Sequence, residues 1–354
     1  MRLFVTMLIL ATAIMVAPAH AQKNPILAKM EAEIAAENFG AITSVVVRQN
    51  GKLLVERYFD DGGKDALRNT RSATKTITGM LAGIAIADGH ISSVNQPIYS
   101  FYSGRKFANP DSRKEKITLE NLLTMTTGLE CNDWNNPSRG NEERMYLIED
   151  WEEFFLDLPL GFPPPWETPA SERPNGRVFS YCTAGVFTLG AIVERASATR
   201  LEEYAQQRLF GPVGITEVKW PFSPLGIAQG GGGLELKSGD LAKLGQLYLN
   251  GGRWNGTQVI PEDWVSRSVQ PYVTINESIG QNYGYLWWLQ SFRSGDVEFP
   301  VWMMSGTGGN KQYIIPSMDA VVVVTTTNFR RPDAHQLTDK LLTEYIIQAL
   351  GGAN

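Results

Sequence analysis

Apolar residues fall at helical spacing at Ile26, Leu27, Met30 and Ile34, which predicts a helix over 25–38. Two runs rich in β-branched and aromatic residues follow, 42–48 and 53–58. They are separated by Gln49-Asn50-Gly51-Lys52, and an Asn-Gly step between such runs predicts a β-hairpin. The next segment returns to helical period, with Ile77, Met80, Leu81 and Ile84 on one face and Gly89 as its stop, so a helix is expected over 72–88. From 90 to 235 the pattern is irregular. Helices are predicted at 119–126, 185–196 and 201–209 between long loops, and Pro163-Pro164-Pro165-Trp166 is the least regular stretch. A helix at 238–249 stops at Asn250-Gly251-Gly252. The last hundred residues read as strands at 283–290, 301–304, 312–315 and 320–327, closed by a helix at 334–350. Strands at both ends with helices between predict an α/β protein: an antiparallel sheet, flanked by helices, built by the two termini (about 22–75 and 255–354), with a mainly helical part (about 76–254) inserted.

Residues 1–21 stand apart from that pattern. Arg2, the apolar stretch from Leu3 to Val16 and the small-x-small step Ala19-His20-Ala21 read as a secretory signal peptide, with the mature chain starting near Gln22. The apolar stretch is short of the roughly 20 residues that span a bilayer, so no stable membrane anchor is expected after cleavage. The expected location is periplasmic or secreted. In an oxidising compartment the only two cysteines, Cys131 and Cys182, are expected to pair.

Composition narrows the chemistry. Among 354 residues, 32 Lys and Arg stand against 37 Asp and Glu, a net charge of −5. No basic run offers counterion release, which argues against nucleic acid as a partner. Three histidines and two cysteines leave no cluster for a structural metal, and no cofactor is called for. Hydroxyls, amines and carboxylates must carry any reaction.

The helix expected at 72 opens Ser72-Ala73-Thr74-Lys75. Serine and lysine three apart share a helix face, so an amine can take the serine proton, while the helix N-terminus favours developing negative charge. A second Ser-x-x-Lys, Ser103-Gly104-Arg105-Lys106, lies in a polar loop and opens no apolar helix. Two later segments add to the first. Ser180-Tyr181-Cys182-Thr183 runs straight into a helix, and Met304-Ser305-Gly306-Thr307-Gly308-Gly309 is a strand that dissolves into glycines, where backbone N–H groups can approach a substrate carbonyl. The four glycines 230–233 lack the Lys-Ser/Thr of a phosphate loop and read as a tight turn near a cleft.

With these three motifs in order, the chain resembles the serine β-lactamase-like family: class C β-lactamases, D-Ala-D-Ala carboxypeptidases, related esterases and 6-aminohexanoate-dimer hydrolases. The likeness spans roughly 40–330 and includes Gly232-Gly233-Leu234 and Tyr248-Leu249-Asn250-Gly251-Gly252-Arg253-Trp254. It implies a β-lactamase/transpeptidase-like fold and an acyl-enzyme on Ser72. Lys75 and Tyr181 would share the proton handling, and the backbone N–H groups of Ser72 and Thr307 (Gly309 in the alternative register) would form the oxyanion hole. Thr183, Met304, Ser305, Gly306 and Gly308 would line the substrate site.

The departures bear on substrate. Where the family carries a cation for a substrate carboxylate, this chain has Met304, or Gly306 in the other register. An uncharged site favours small esters or amides over β-lactams and D-Ala-D-Ala, with Trp134, Trp166, Trp287 and Trp288 as candidate walls of an apolar pocket. Thr183 replaces the Asn or Ser of the second motif, and Tyr248-Leu249-Asn250 is read as a helix end rather than that motif. A β-lactamase or carboxypeptidase, and a non-catalytic binding module, are the competing readings.

Overall fold

The structure, a computed structural model, describes residues 24–161 and 178–351. Residues 1–21, read above as a signal peptide, and the Pro163–Trp166 run lie outside the described residues.

The chain begins with helix α1 (Pro25–Ala35), capped by Asn24, whose carboxamide oxygen accepts the N–H of Ile26 at 2.9 Å. It stops short of 38 because Glu37 turns left-handed at φ 60°. Strands β1 (Ile42–Gln49) and β2 (Lys52–Tyr58) form the hairpin. After the short β3 (Arg68–Asn69) comes a 3-10 turn, Arg71–Ala73, and only then α2 (Thr74–Ala87). The middle of the chain carries α3 (Leu119–Leu123), α4 (Glu142–Met145), α5 (Trp151–Leu156), α6 (Thr183–Ser197) and α7 (Leu201–Ala205). Then follow β4 (Glu235–Leu236), α8 (Ser238–Leu249), the small ribbon of β5 (Arg253–Trp254) and β6 (Thr257–Gln258), and α9 (Glu262–Ser268). The last part supplies β7 (Val273–Asn276), β8 (Gln281–Tyr283), β9 (Trp288–Ser294), β10 (Val297–Gly306), β11 (Asn310–Ile315) and β12 (Ala320–Thr326). Helices α10 (Ala334–Leu341) and α11 (Ile347–Ala349) close it, joined by a π turn.

Eight strands make one antiparallel sheet in the order β2-β1-β12-β11-β10-β9-β8-β7. The first and last strands of the sequence lie side by side, second and third from one edge of the sheet, where Val46 pairs with Val323. Strand parity sorts the side chains. Val45, Val47, Met303, Val322 and Val324 pack under α1 and the C-terminal helices, with Met30 and Ile346. Val46, Met304, Val321 and Val323 pack on the other face with residues of α2, α6 and α8. Burial on both faces explains why Val45–Val47 and Val321–Val324 are unbroken apolar runs.

Two further expectations change. Helix α8, counted with the inserted helical part, packs directly on β1 and β12 and belongs to the sheet's cover. The strand expected at 283–290 is broken over Gly284–Trp287. A Cβ on Gly284 would lie 2.2 Å from the Ser268 carbonyl, and Leu286, at φ 59°, donates its N–H to Leu123 O.

Candidate active site

Ser72 sits in the 3-10 turn that leads into α2, one turn before Lys75. The Lys75 side chain is buried (1% exposed), and its Nζ donates to Ser72 Oγ at 3.1 Å and to the Gly231 carbonyl at 2.5 Å. The glycine run thus supplies a backbone acceptor that anchors the lysine. Gly230 likewise accepts from Thr78 Oγ1, at 2.7 Å, one turn further along α2. Bare backbone is needed here: a Cβ on Gly231 would lie 2.8 Å from Thr183 O.

Tyr181 stands at the entry to α6 with its ring facing the amine, Nζ lying 4.9 Å from the ring centroid. Trp134 stacks on it at 5.4 Å, nearly parallel, and Trp288 lies 5.8 Å away. The loop bearing Trp134 is tied down from both sides. A disulfide joins Cys131 to Cys182, with Cα atoms 5.5 Å apart. Asp133 donates its N–H to Tyr181 O at 2.8 Å, while its carboxylate accepts the N–H groups of Thr183 at 2.6 Å and Glu142 at 3.0 Å. Burial pushes the Asp133 carboxyl above the ordinary carboxylate range, with Lys75 pulling the other way.

The third piece is the end of β10. A Cβ on Gly306 would lie 2.3 Å from Thr70 O and 3.2 Å from Ser72 N, so only glycine lets this strand press against the serine turn. Thr307 follows, and lines the same cavities as Ser72. Gly309, the alternative register, faces α10 instead, where a Cβ would meet Thr338 Oγ1 at 2.4 Å.

Two cavities meet at this point, both lined by Ser72, Glu142 and Thr307. One, of about 550 Å³, carries Tyr181, Trp134, Trp288 and Ser305. The other, of about 600 Å³, carries Arg71, Tyr146, Trp220 and the glycine run. The structure therefore brings Ser72, Lys75, Tyr181, Ser305, Gly306 and Thr307 together.

It places others elsewhere. Met304 is fully buried in the core behind the site, because strand parity turns it away from Ser305, so its side chain does not line either cavity. Thr183 is also buried; its backbone serves Asp133, and its hydroxyl has no hydrogen-bond partner among the described residues. Gly308, at φ 84°, packs against Phe329 rather than lining either cavity. Trp287 is a core residue packed at a tilt against Tyr248, ring centroids 4.6 Å apart, and only its neighbour Trp288 reaches the cavity. Tyr248 is itself buried against Ser268, and Asn250 caps α8. Lys311, a candidate cation, reaches the cavity but is paired with Asp339 at 2.5 Å. Ser103 of the second Ser-x-x-Lys lines a separate depression, and Arg105 beside it is committed to Asp150 at 2.6 Å. The sequence reading placed the glycine run near a cleft without its role as acceptor for Lys75, and missed Asp133 and Arg71. For Asp133 the available signal was its place two residues from Cys131.

The chain belongs to the beta-lactamase family: residues 30–345 match the family of that description. Over 156 residues it is 26% identical to a 6-aminohexanoate-dimer hydrolase of Paenarthrobacter ureafaciens, covering 41% of this chain and 38% of that protein. Over 198 residues it is 28% identical to a lovastatin esterase of Penicillium rubens, covering 51% of this chain and 46% of that protein. The matched part is thus less than half the length of either curated relative. Among solved structures, a candidate 6-aminohexanoate-dimer hydrolase from Bacillus anthracis superposes with a TM-score of 0.72 at 21% identity, over 89% of this chain and 81% of that one. That likeness establishes the β-lactamase/transpeptidase-like fold.

Proposed function

We propose that the protein is an exported serine hydrolase that forms an acyl-enzyme on Ser72 and cleaves small esters or amides. The observation that carries this reading is the contact of Lys75 Nζ with Ser72 Oγ, at 3.1 Å, on the lip where Thr307 closes against the serine turn. Ser72 Oγ attacks the substrate carbonyl carbon and passes its proton to the Lys75/Tyr181 pair. The carbonyl oxygen, now negative, is held by the N–H groups of Ser72 and Thr307, and losing one such donor costs roughly 3–4 kcal/mol of the barrier. The C–O or C–N bond then breaks as the pair returns the proton to the leaving alcohol or amine. Water, deprotonated by the same pair, hydrolyses the Ser72 ester.

The aromatic wall of Tyr181, Trp134 and Trp288 suits an apolar leaving group, and Lys311 is neutralised there by Asp339. The 6-aminohexanoate-dimer hydrolase and lovastatin esterase relatives agree with amide or ester substrates. The leader residues 1–21 and the Cys131–Cys182 bridge support export. A mature N-terminus near Gln22 in the cell envelope or medium is expected, and an intact leader on cytoplasmic protein would refute it.

The direct test compares a short-chain nitrophenyl ester, a nitroanilide and a chromogenic cephalosporin, with Ser72→Ala as the blank. Turnover of ester or anilide that requires Ser72, with little cephalosporin cleavage, is the expected result. Fast cephalosporin cleavage would make the protein a β-lactamase, and turnover of none would leave a binding module.

A further inference from the structure

A cation does stand beside the nucleophile. Arg71 directly precedes Ser72 and lines the cavity of about 600 Å³. Its backbone is left-handed, at φ 52°, a conformation that glycine would adopt without strain. It is held there by Asn69 Oδ1, which accepts its N–H at 2.9 Å, and by Thr74 Oγ1, which donates to its carbonyl at 2.7 Å. The guanidinium carbon lies over the Phe329 ring, 3.9 Å from the centroid. It makes no ion pair among the described residues, and its Nε is buried with no hydrogen-bond partner. The Nε is covered by protein, so the terminal nitrogens, which also have no hydrogen-bond partner among the described residues, are the groups that a ligand oxygen can meet. The other cation of this cavity, Lys219, is paired with Glu235 at 3.4 Å. Glu142 and Glu143 also line the cavity, and neither is ion-paired with Arg71.

The proposed mechanism assigns sides. The leaving group must lie near its proton donor, and Tyr181 lines the other cavity, so the acyl chain enters the cavity of Arg71. We propose that Arg71 is a specificity residue that receives a carboxylate carried on the acyl chain, making half-esters or half-amides of dicarboxylic acids the favoured substrates. Planar two-point recognition of a carboxylate is the chemistry for which a guanidinium is suited. This inference rests on the reading of Ser72 as the nucleophile.

The test measures kcat/KM for the 4-nitrophenyl half-ester of adipic acid against 4-nitrophenyl hexanoate, matched in chain length, in wild type, Arg71→Gln and Arg71→Lys. Wild type should favour the anionic ester. Arg71→Gln should lose that preference by roughly tenfold or more, Arg71→Lys should keep part of it, and added salt should weaken it. An anionic-to-neutral ratio equal in wild type and Arg71→Gln would overturn the proposal. Binding without turnover separates the two readings: adipate should raise the melting temperature of wild type more than hexanoate does, and Arg71→Gln should remove the difference. If that difference persists in Arg71→Gln, Arg71 is not the carboxylate site. Hydrolysis of both esters by Ser72→Ala would instead refute the nucleophile while leaving the adipate measurement to judge Arg71.

Discussion

The amine of Lys75 lies 3.1 Å from the hydroxyl of Ser72, with a second hydrogen bond to Gly231 O that fixes where it points. An amine in that place can take and return a proton, whereas a guanidinium holds its proton throughout the working pH range. Lys75→Arg should therefore lower kcat by roughly 10²–10⁴-fold, the span of general base catalysis. Ester hydrolysis within tenfold of wild type would remove Lys75 from that role.

At Gly306, the end of β10, a side chain would collide with the serine turn, 2.3 Å from Thr70 O. Gly306→Ala should push the strand off Ser72, lowering kcat/KM and costing about 1–3 kcal/mol of stability, as overpacking does. Gly239→Ala on α8, where an added Cβ meets nothing within 4 Å, is the control. Wild-type kinetics in Gly306→Ala would show that this close approach does not shape the site.

Asp133 gives a pH signature. Burial raises its carboxyl above the ordinary value of 3.8, so the fold holds its proton more tightly than the unfolded chain does. Just above that value the native state binds more protons, and stability is lost as pH rises through the folded value. Asp133→Asn should be less stable at all pH by about 1–3 kcal/mol, because one of its two backbone N–H partners loses its acceptor. The wild-type advantage should shrink as pH rises from about 3.8 toward neutrality. Melting temperatures of both proteins across that range would show it, and an advantage that grows with pH would reverse the sign.

The bridge between Cys131 and Cys182 closes a sequence separation of 51, worth up to about 4 kcal/mol on the chain-entropy estimate. It also clamps the loop that carries Asp133 and Trp134 to Tyr181. Cys131→Ser with Cys182→Ser should lower the melting point and raise KM more than it lowers kcat, since Trp134 would lose its stacked position. Unchanged stability in the double variant would mean the bridge is not formed in solution.

What could be read from the sequence was local. Ser72 and Lys75 are three residues apart, and that spacing alone brings them together once a helical turn forms. The hairpin at Asn50-Gly51 and helix α8 follow equally local rules. What failed was decided by parity and by distant packing. Met304 and Ser305, or Trp287 and Trp288, differ by one residue in a strand or turn, and nothing in the sequence says which of each pair faces the cavity. The contact of Lys75 with Gly231 spans 156 residues, and the pairing of Lys311 with Asp339 joins a strand to a helix. Neither leaves a trace in periodicity.

The central claim is that Ser72 carries the acyl group. Wild type and Ser72→Ala would be incubated with a 4-nitrophenyl ester, quenched rapidly in acid, and examined by intact mass and peptide mapping. The account predicts a burst of nitrophenol and an added acyl mass on the peptide containing Ser72, in wild type alone. An adduct on another residue, or nitrophenol release by Ser72→Ala at the wild-type rate, would contradict it.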